Sequence, residues 1–398
     1  MTAGTPRVLQ CITRMIVGGA QETVLLAADH LNATGRFRVE IATGPDTGSE
    51  GDLKPEVLRR DIPLVVVPEL ANPMLPHRDL RAVWRLYRLM RERRYDVVHT
   101  NSTKAGLVGR LAARMARVPV VVHTVHGWGM HEGQRAFLKR ALVACERMAA
   151  KATERIVTVT PVDIGAGMER RVGTREQYVT IRSGIELDRF GRPGIDRDAV
   201  RAELGIPADA VVVGTVGRLS PQKAPLDLVN AARRVLDEFP DTRFVLVGDG
   251  PLRPDVESRI AELGMAHAFT LTGLRRDVPE LMSAFDVFVI CSLWEGLPRV
   301  LPQAMATGLP IAASAVDGNA EAVVHGQNGL LTPPGDVPAL AETLLRLVRD
   351  PGLRRTLGDN GRRMAPEYGA AKMADDLAAL YDELLAGNGR GNGRGAGR

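Results

Sequence analysis

Short apolar, β-branched runs alternate with stretches of helical periodicity from one end of the chain to the other. In the first half the runs are Val8–Thr13, Phe37–Thr43, Pro63–Val67, Val97–Thr100, Val118–Thr124 and Arg155–Thr160. Apolar positions at three- and four-residue spacing between them predict helices over Gln21–Asn32, Leu80–Arg93, Lys104–Ala116 and Arg135–Lys151. A second series opens at Val211–Gly217 and continues through Arg243–Gly248, Phe269–Gly273, Asp286–Cys291 and Pro310–Ser314. Strands alternating with helices predict parallel sheets with helices on both faces. Between the two series, Ser183-Gly184, Gly191, Pro193-Gly194 and Pro207 punctuate Arg182–Pro207 as a linker. The pattern therefore predicts an α/β chain with two doubly wound, Rossmann-like domains, 1–184 and 185–371. Ligands of such sheets bind beyond the carboxyl ends of the strands, so two facing domains imply a cleft. Met373, Leu377, Leu380, Tyr381 and Leu384 then line one side of an amphipathic helix expected over 372–386. The last stretch, 387–398, reads GNGRGNGRGAGR and is expected to be disordered, having nothing to bury.

Composition narrows the classes. The 398 residues are 45% hydrophobic and 25% charged, ordinary values for globular domains. The formal charge is +5, and Arg390, Arg394 and Arg398 supply three of those charges, which leaves too little for a nucleic-acid partner. Cys11, Cys145 and Cys291 are widely spaced in apolar contexts, which is neither a disulfide frame nor a zinc site. Met1–Pro6 leads directly into a strand-like run, and no apolar run reaches the roughly 18 residues of a spanning helix. A cytosolic chain is expected, with peripheral contact at the inner face of a membrane left open. Arg81, Arg85, Arg88, Arg91, Arg93 and Arg94 on one helix, and the cations of Arg135–Lys151, suit either a solvated face or anionic lipid. Trp84, Tyr87, Met90, Phe137 and Leu138 would be the apolar side of that lipid contact.

Candidate chemistry collects at strand ends. SLWEGLPRVLPQAMATGLPIAAS, from Ser292 to Ser314, places Glu295, Gly296, Leu297 and Pro298 directly after a strand. Glycine admits a close backbone approach, and Pro302 suits the first turn of a helix expected to start near Leu301. Free amides at a helix start favour an anion such as a sugar diphosphate. Gly217-Arg218-Leu-Ser-Pro-Gln-Lys223 puts two cations across another turn, a guanidinium fork and an ammonium point charge fit to clamp a diphosphate. Gly18-Gly19 after the first strand serves either phosphate approach or a plain turn. Its spacing is not GxGxxG, and no GxxxxGK[ST] occurs, so neither NAD nor P-loop chemistry is indicated. His123-Thr-Val-His126-Gly-Trp128 ends the fifth strand, where an imidazole can bond a sugar hydroxyl or move a proton; His123 itself reads as packing. Asp196-Arg-Asp198 has the spacing of a metal-binding Asp pair but lies beside the linker, and reads as helix-start chemistry.

These motifs, in this order, resemble the GT-B glycosyltransferases, specifically the large retaining family called group 4. The family's Glu-x7-Glu segment falls on Glu295 and Gln303, so this chain carries an amide in place of the second carboxylate. The resemblance implies that Glu295 contacts the donor sugar, Gln303 the ribose, Arg218 and Lys223 the diphosphate, and His126 flanks the sugar. It also assigns substrate contacts to Gly18, Gly19, Gly217, Gly296, Leu297 and Pro298, and base stacking to the turn at Gly273-Leu274. Asn101-Ser102-Thr103-Lys104 resembles the acceptor-side loop, and the terminal helix is expected to cross back onto the first domain. The implied reaction moves a sugar, with retention, from a nucleotide-diphosphate donor, uridine being the usual base. The implied acceptor is a hydroxyl on a lipid-linked glycan or a small molecule, as in cell-surface polysaccharide or glycolipid synthesis. No metal and no cofactor are expected. Two rivals stand beside this reading, a weakly active nucleotide-sugar-binding partner subunit and a nucleotide-sugar epimerase. Donor hydrolysis without transfer marks the first, and epimerised donor marks the second.

Overall fold

The computed structural model describes residues 4–45, 51–71, 74–129, 136–192 and 194–391. The chain divides into two compact units, one formed by Met1–Gly184 with Ala370–Arg398 and the other by Ile185–Gly369. Both passages between the units leave the second at one place, where Ile185 bridges Gly369 and its amide donates to the Tyr368 carbonyl at 2.9 Å.

The first unit holds strands β1 (Arg7–Ile12), β2 (Arg38–Thr43), β3 (Leu64–Val66), β4 (Val97–Asn101), β5 (Val120–Val125), β6 (Arg155–Thr158) and β7 (Tyr178–Thr180). All pair in parallel, in the order β3-β2-β1-β4-β5-β6-β7. Its helices are α1 (Gly19–Ala33), α2 (Lys54–Arg59), α3 (Pro76–Arg93), α4 (Thr103–Ala116), α5 (Ala136–Ala150) and α6 (Pro161–Glu169). Strand order reverses between β1 and β4, so α1 and α4 cover opposite faces. Seven strands rather than six arise because Tyr178–Thr180 is too short to stand out from its charged neighbours.

The second unit repeats the design. Its strands are β8 (Val212–Val216), β9 (Arg243–Val247), β10 (Phe269–Gly273), β11 (Val287–Ile290), β12 (Ile311–Ser314) and β13 (Gly329–Thr332). They form one parallel sheet in the order β10-β9-β8-β11-β12-β13, reversing between β8 and β11. The helices are α7 (Arg197–Glu203), α8 (Pro225–Glu238), α9 (Arg253–Glu262), α10 (Val278–Ser283), α11 (Val300–Thr307), α12 (Asp317–Ala322), α13 (Val337–Arg349) and α14 (Pro351–Met364). Helix α7 lies inside the stretch read as linker. Asp196 caps it by accepting from the Ala199 amide at 3.0 Å, and Arg201 clamps it to the sheet. The buried Arg201 guanidinium donates to the Ala284, Ala208 and Ala210 carbonyls and to Asp286 at 2.7 Å. Asp286 also accepts from the Val212 amide at 2.8 Å, so one carboxylate ties α7, β8 and β11.

The chain returns to the first unit in α15 (Ala370–Gly391), which packs along α1 through Met373, Leu377, Tyr381 and Leu384. The Tyr381 ring meets Phe37 edge-on at 5.6 Å between centroids. The helix starts two residues before 372 and runs five past 386, into the stretch expected to be disordered; 392–398 lie outside the described residues. The basic helices also differ from expectation. Val83, Leu86 and Met90 of α3 are core residues, and the exposed Trp84 lies under the Arg88 guanidinium at 4.8 Å. On α5, by contrast, Phe137 is 83% exposed. Among the described residues, no helix is long and apolar enough to cross a membrane.

Two buried histidines give the first unit a pH signature. Burial, reinforced by the charge of nearby His126, lowers the pKa of His99 to about 3, and burial beside Arg110 holds His123 well below its usual value. Both rings fold neutral, whereas an unfolded histidine gains its proton near about 6.5. Stability is therefore complete above that pH and declines as pH falls toward 3. Between pH 7 and 5 the His99 ring should remove about 2 kcal/mol, and His123 acts in the same direction. Urea unfolding at the two pH values tests this, and equal midpoints would contradict two neutral buried rings.

Candidate functional site

Polar side chains in the second unit gather where β8 and β11 part. After β11 the chain gives the fully buried Ser292, the exposed Trp294 and then Glu295, whose side chain is almost wholly covered. The Ser292 hydroxyl donates to Glu295 Oε1 at 2.6 Å, and Lys223 Nζ forms an ion pair with the same oxygen. Gln222 supports the turn by donating to the Trp294 carbonyl at 2.9 Å, and its own carbonyl accepts from the Leu293 amide at 2.8 Å. The loop after β12 closes the group. Ser314 donates to the Ser292 carbonyl at 2.5 Å, and Asn319 Nδ2 donates to the Ser314 carbonyl at 3.0 Å.

Glycines set how closely these loops approach. A Cβ at Gly318 would lie 1.2 Å from the Gly296 carbonyl oxygen, so only glycine lets α12 seat against the Glu295 turn. Gly248, at φ +131°, would likewise place a Cβ 2.1 Å from the Gly217 carbonyl oxygen. Leu297 and Pro298 are buried behind the turn, and the exposed Arg218 shares the β8 loop with Lys223. Leu274 is 63% exposed after β10, two strands from β8. Helix α11 starts at Val300, so Pro302 is its third residue and Gln303 its fourth, one turn along rather than at the expected start. The Gln303 backbone carbonyl accepts from Thr307 Oγ1 at 2.9 Å, which leaves its amide group for other partners.

In the first unit the corresponding place is the gap between β1 and β4. Beside it, over the ends of β4 and β5, a cavity of about 220 Å³ is lined by Ala20, Ser102, Thr103, His123, His126, Trp128 and Glu146 among others. Gly18 caps α1, Gly19 is its first residue, and Ala20, the second, lines the cavity. Ser102 holds φ 66°, a strained conformation of the kind that clusters at functional sites, and bonds Thr13 through its hydroxyl at 2.8 Å. His126 Nε2 lies 2.9 Å from Asn101 Oδ1, and Trp128 Nε1 donates to the Asp163 carbonyl at 2.8 Å. His123 is buried on the other face of β5 with Nδ1 2.9 Å from Thr100 Oγ1, yet its ring reaches the cavity wall. Arg110, fully buried, donates to Glu146 at 2.6 Å.

Of the expected residues, Gly18, Gly19 and His126 thus lie in the first unit, and Gly217, Arg218, Lys223, Leu274, Glu295, Gly296, Leu297, Pro298 and Gln303 in the second. Residues not foreseen are Ser292, Ser314, Asn319, Glu146, and Gln10 and His99, which join Asn101 of the expected acceptor-side loop in a polar group. The signal for the last group was present, since polar residues inside the apolar runs RVLQCI and VVHTN break the pattern of a buried strand. Among the described residues, no three His, Cys, Asp or Glu side chains are placed to hold a metal ion.

Residues 18–184 match the family described as "Glycosyl transferase 4-like domain", and residues 196–364 match "Glycosyl transferases group 1". An Escherichia coli UDP-Gal:alpha-D-GlcNAc-diphosphoundecaprenol alpha-1,3-galactosyltransferase is 33% identical over 329 residues, covering 80% of this chain and 83% of that protein. The chain belongs to the GT-B glycosyltransferases of group 4. A D-inositol 3-phosphate glycosyltransferase of Streptomyces bingchenggensis is 31% identical over 397 residues, covering 93% of this glycosyltransferase and 86% of its own length. The crystal structure of Anabaena HepE with UDP and glucose superposes with a TM-score of 0.83 at 24% identity. That superposition covers 95% of this chain and 100% of HepE, and the likeness speaks for the GT-B fold.

Gly318→Ala tests the close approach in this glycosyltransferase. The added methyl lies 1.2 Å from a backbone oxygen, so the Gly296 carbonyl must move by about 2 Å, and even a shift of about 1 Å in a positioned site costs roughly 10²-fold in rate. Transfer should fall at least on that scale, and the melting temperature should drop with it because the displaced atoms are backbone. Wild-type turnover would show that the Glu295 turn tolerates displacement.

Proposed function

We propose that this glycosyltransferase moves a sugar from a UDP-sugar to a hydroxyl of a lipid-linked glycan, with retention and without a metal. The observation that carries the reading is the Ser292–Glu295–Lys223 constellation at the β8/β11 switch point, where a parallel sheet takes its ligands. Lys223 has three N–H donors, so Glu295 occupies one and phosphate oxygens can take the others. Arg218 on the same loop adds a forked donor for the leaving diphosphate, where negative charge develops as the sugar departs. Glu295, fixed by Ser292 and Lys223, accepts from donor-sugar hydroxyls. Gly217, Gly296, Leu297 and Pro298 shape the turn around them, and Leu274 offers an exposed apolar face to the base. In the first unit, Gly18, Gly19, His126 and the 220 Å³ cavity form the acceptor side, His126 flanking the transferred sugar. The leaving phosphate takes the acceptor's proton on the face it vacates, which gives retention.

The names of relatives support the substrate classes. The Escherichia coli relative is named for UDP-Gal and a diphosphoundecaprenol-linked acceptor, and HepE is titled as a complex with UDP and glucose. A lipid-linked acceptor places the protein at the inner face of a membrane. The exposed Phe137 and Leu138 beside Lys139 and Arg140 on α5 suit that contact. A weakly active partner subunit is the second reading, because Gln303 replaces the family's second carboxylate.

Transfer from a panel of UDP-sugars to a polyprenyl-diphosphate-linked sugar, against inositol phosphate, tests the proposal. Arg218→Ala and Lys223→Ala should each lower kcat roughly 10²–10³-fold with folding intact. Chelator should leave the rate unchanged. Donor hydrolysis without transfer to any acceptor would support the partner-subunit reading instead.

Gln303→Glu addresses the amide. A carboxylate can accept from both ribose hydroxyls, whereas the amide offers one accepting oxygen. UDP binding should tighten by roughly 0.5–1.5 kcal/mol, the net scale of one hydrogen bond. Calorimetry with UDP and its 2′-deoxy form measures this. Equal wild-type affinity for the two would remove Gln303 from the ribose contact.

A further inference from the structure

Side chains two apart on a strand share a face, and register places neighbours across strands. Gln10 pairs with His99 between β1 and β4, and Asn101 pairs with Thr124 between β4 and β5. Gln10, His99, Asn101, Thr124 and, two residues on, His126 therefore share the face that α15 covers. That face of a parallel sheet ought to be apolar. Instead the five side chains and Tyr381 bond to one another. Asn101 Nδ2 donates to Gln10 Oε1 at 2.9 Å, and Gln10 Nε2 donates to the Tyr381 hydroxyl at 3.2 Å. The Tyr381 hydroxyl lies 2.5 Å from His99 Nδ1, and His99 Nε2 lies 2.6 Å from Thr124 Oγ1. At the outer end, Asn101 Oδ1 lies 2.9 Å from His126 Nε2.

Because Asn101 Nδ2 serves Gln10, its oxygen is the atom presented to His126, and an oxygen can only accept. We propose that Asn101 is a positioning residue that holds the uncharged form of the His126 ring in its Nε2–H tautomer and fixes its plane at the cavity wall. The inference rests on the reading of His126 as the residue beside the transferred sugar. It adds the reason that ring is set before substrate arrives. The tautomer decides which ring nitrogen keeps a lone pair, and so whether Nδ1 accepts from a hydroxyl or donates to one. Asn101 can impose it because its own orientation is set by buried partners. Asn101 is 3% exposed, Gln10 1% and Tyr381 0%, so an amide flip would disturb several buried bonds at once. Among the described residues, His99 on β4 and His123 on β5 act on the ring, and Glu146 of α5 lines the same cavity.

Nitrogen NMR of the full chain labelled in its histidines, with His126 assigned by loss of its signals in His126→Gln, reads the tautomer directly. The wild type should show the Nε2–H form at pH 8, and the Nδ1–H form would overturn the proposal. Asn101→Leu should release the preference and lower kcat roughly 10–100-fold, the scale of losing a supporting hydrogen bond. The KM for the UDP-sugar should hold. Asn101→Asp keeps the size and remains informative if the leucine variant fails to fold. It should raise the His126 pKa and so move the acidic limb of the pH–rate profile, where the ring loses its proton, upward by about one unit. An unchanged His126 pKa in Asn101→Asp would sink the positioning role. Normal transfer by His126→Ala, with the tautomer still answering to Asn101, would refute the part given to His126 and leave the Asn101 contact standing.

Discussion

Each sheet reverses its strand order once, and the whole arrangement of polar chemistry follows from that reversal. At β1/β4 and at β8/β11 the following helices leave for opposite faces, so the strand ends between them are not roofed over. Everywhere else the parallel sheets are covered on both sides and must be apolar. The switch points are where buried strands can hand polar groups to a ligand at little cost. Lys223 and Glu295 come from the loops flanking one gap, and Gly18, Asn101 and Ser102 from those flanking the other. Sequence distance is irrelevant to this pairing. Lys223 and Glu295 are 72 residues apart and share an ion pair because their strands are neighbours.

The two units stabilise their gaps differently. In the second, backbone does the work: Gly248 and Gly318 let carbonyls approach where any side chain would intrude, and Ser292, Ser314 and Asn319 stitch the loops. In the first, the polar atoms run inward from the gap and must be satisfied within the sheet, because an unpaired buried donor or acceptor costs about 1–3 kcal/mol. Tyr381 completes that group. Helix α15 is therefore more than a cover for α1, since it supplies a hydroxyl that Gln10 and His99 need.

This division explains what could be read in the sequence. Apolar runs announced eleven strands near their true places, and the Glu295, Lys223 and His126 motifs stand out because they follow those runs directly. Tyr178–Thr180 and Gly329–Thr332 were hidden because edge strands of three and four residues carry too few positions to show a period. Helix α7 was hidden by the glycines and prolines around it, and its anchor, Arg201, looks like any surface cation until Asp286 is placed beside it. Arg110 and Glu146 are concealed in the same way, each on a helix rich in charge and 36 residues apart. The tautomer-setting contact of Asn101 has no local signature at all, because it depends on the register of three strands.

Gln303 is best judged by magnitudes. If it meets the ribose as proposed, an amide in place of a carboxylate removes charge-assisted acceptance, a bond about twice as strong as a neutral one. It also removes a negative charge from the neighbourhood of a diphosphate. At about 10 Å in a water-like dielectric that repulsion is worth only about 0.4 kcal/mol per charge pair, and salt screens it further. On the proposed ribose contact the lost hydrogen bond outweighs the relieved repulsion, so the amide would weaken the nucleotide contact rather than compensate for it. Arg218 and Lys223 would then carry a larger share of donor affinity, with one carboxylate, Glu295, set against two cations. A donor held mainly through its diphosphate binds more weakly as ionic strength rises, and is released as readily once the sugar has left.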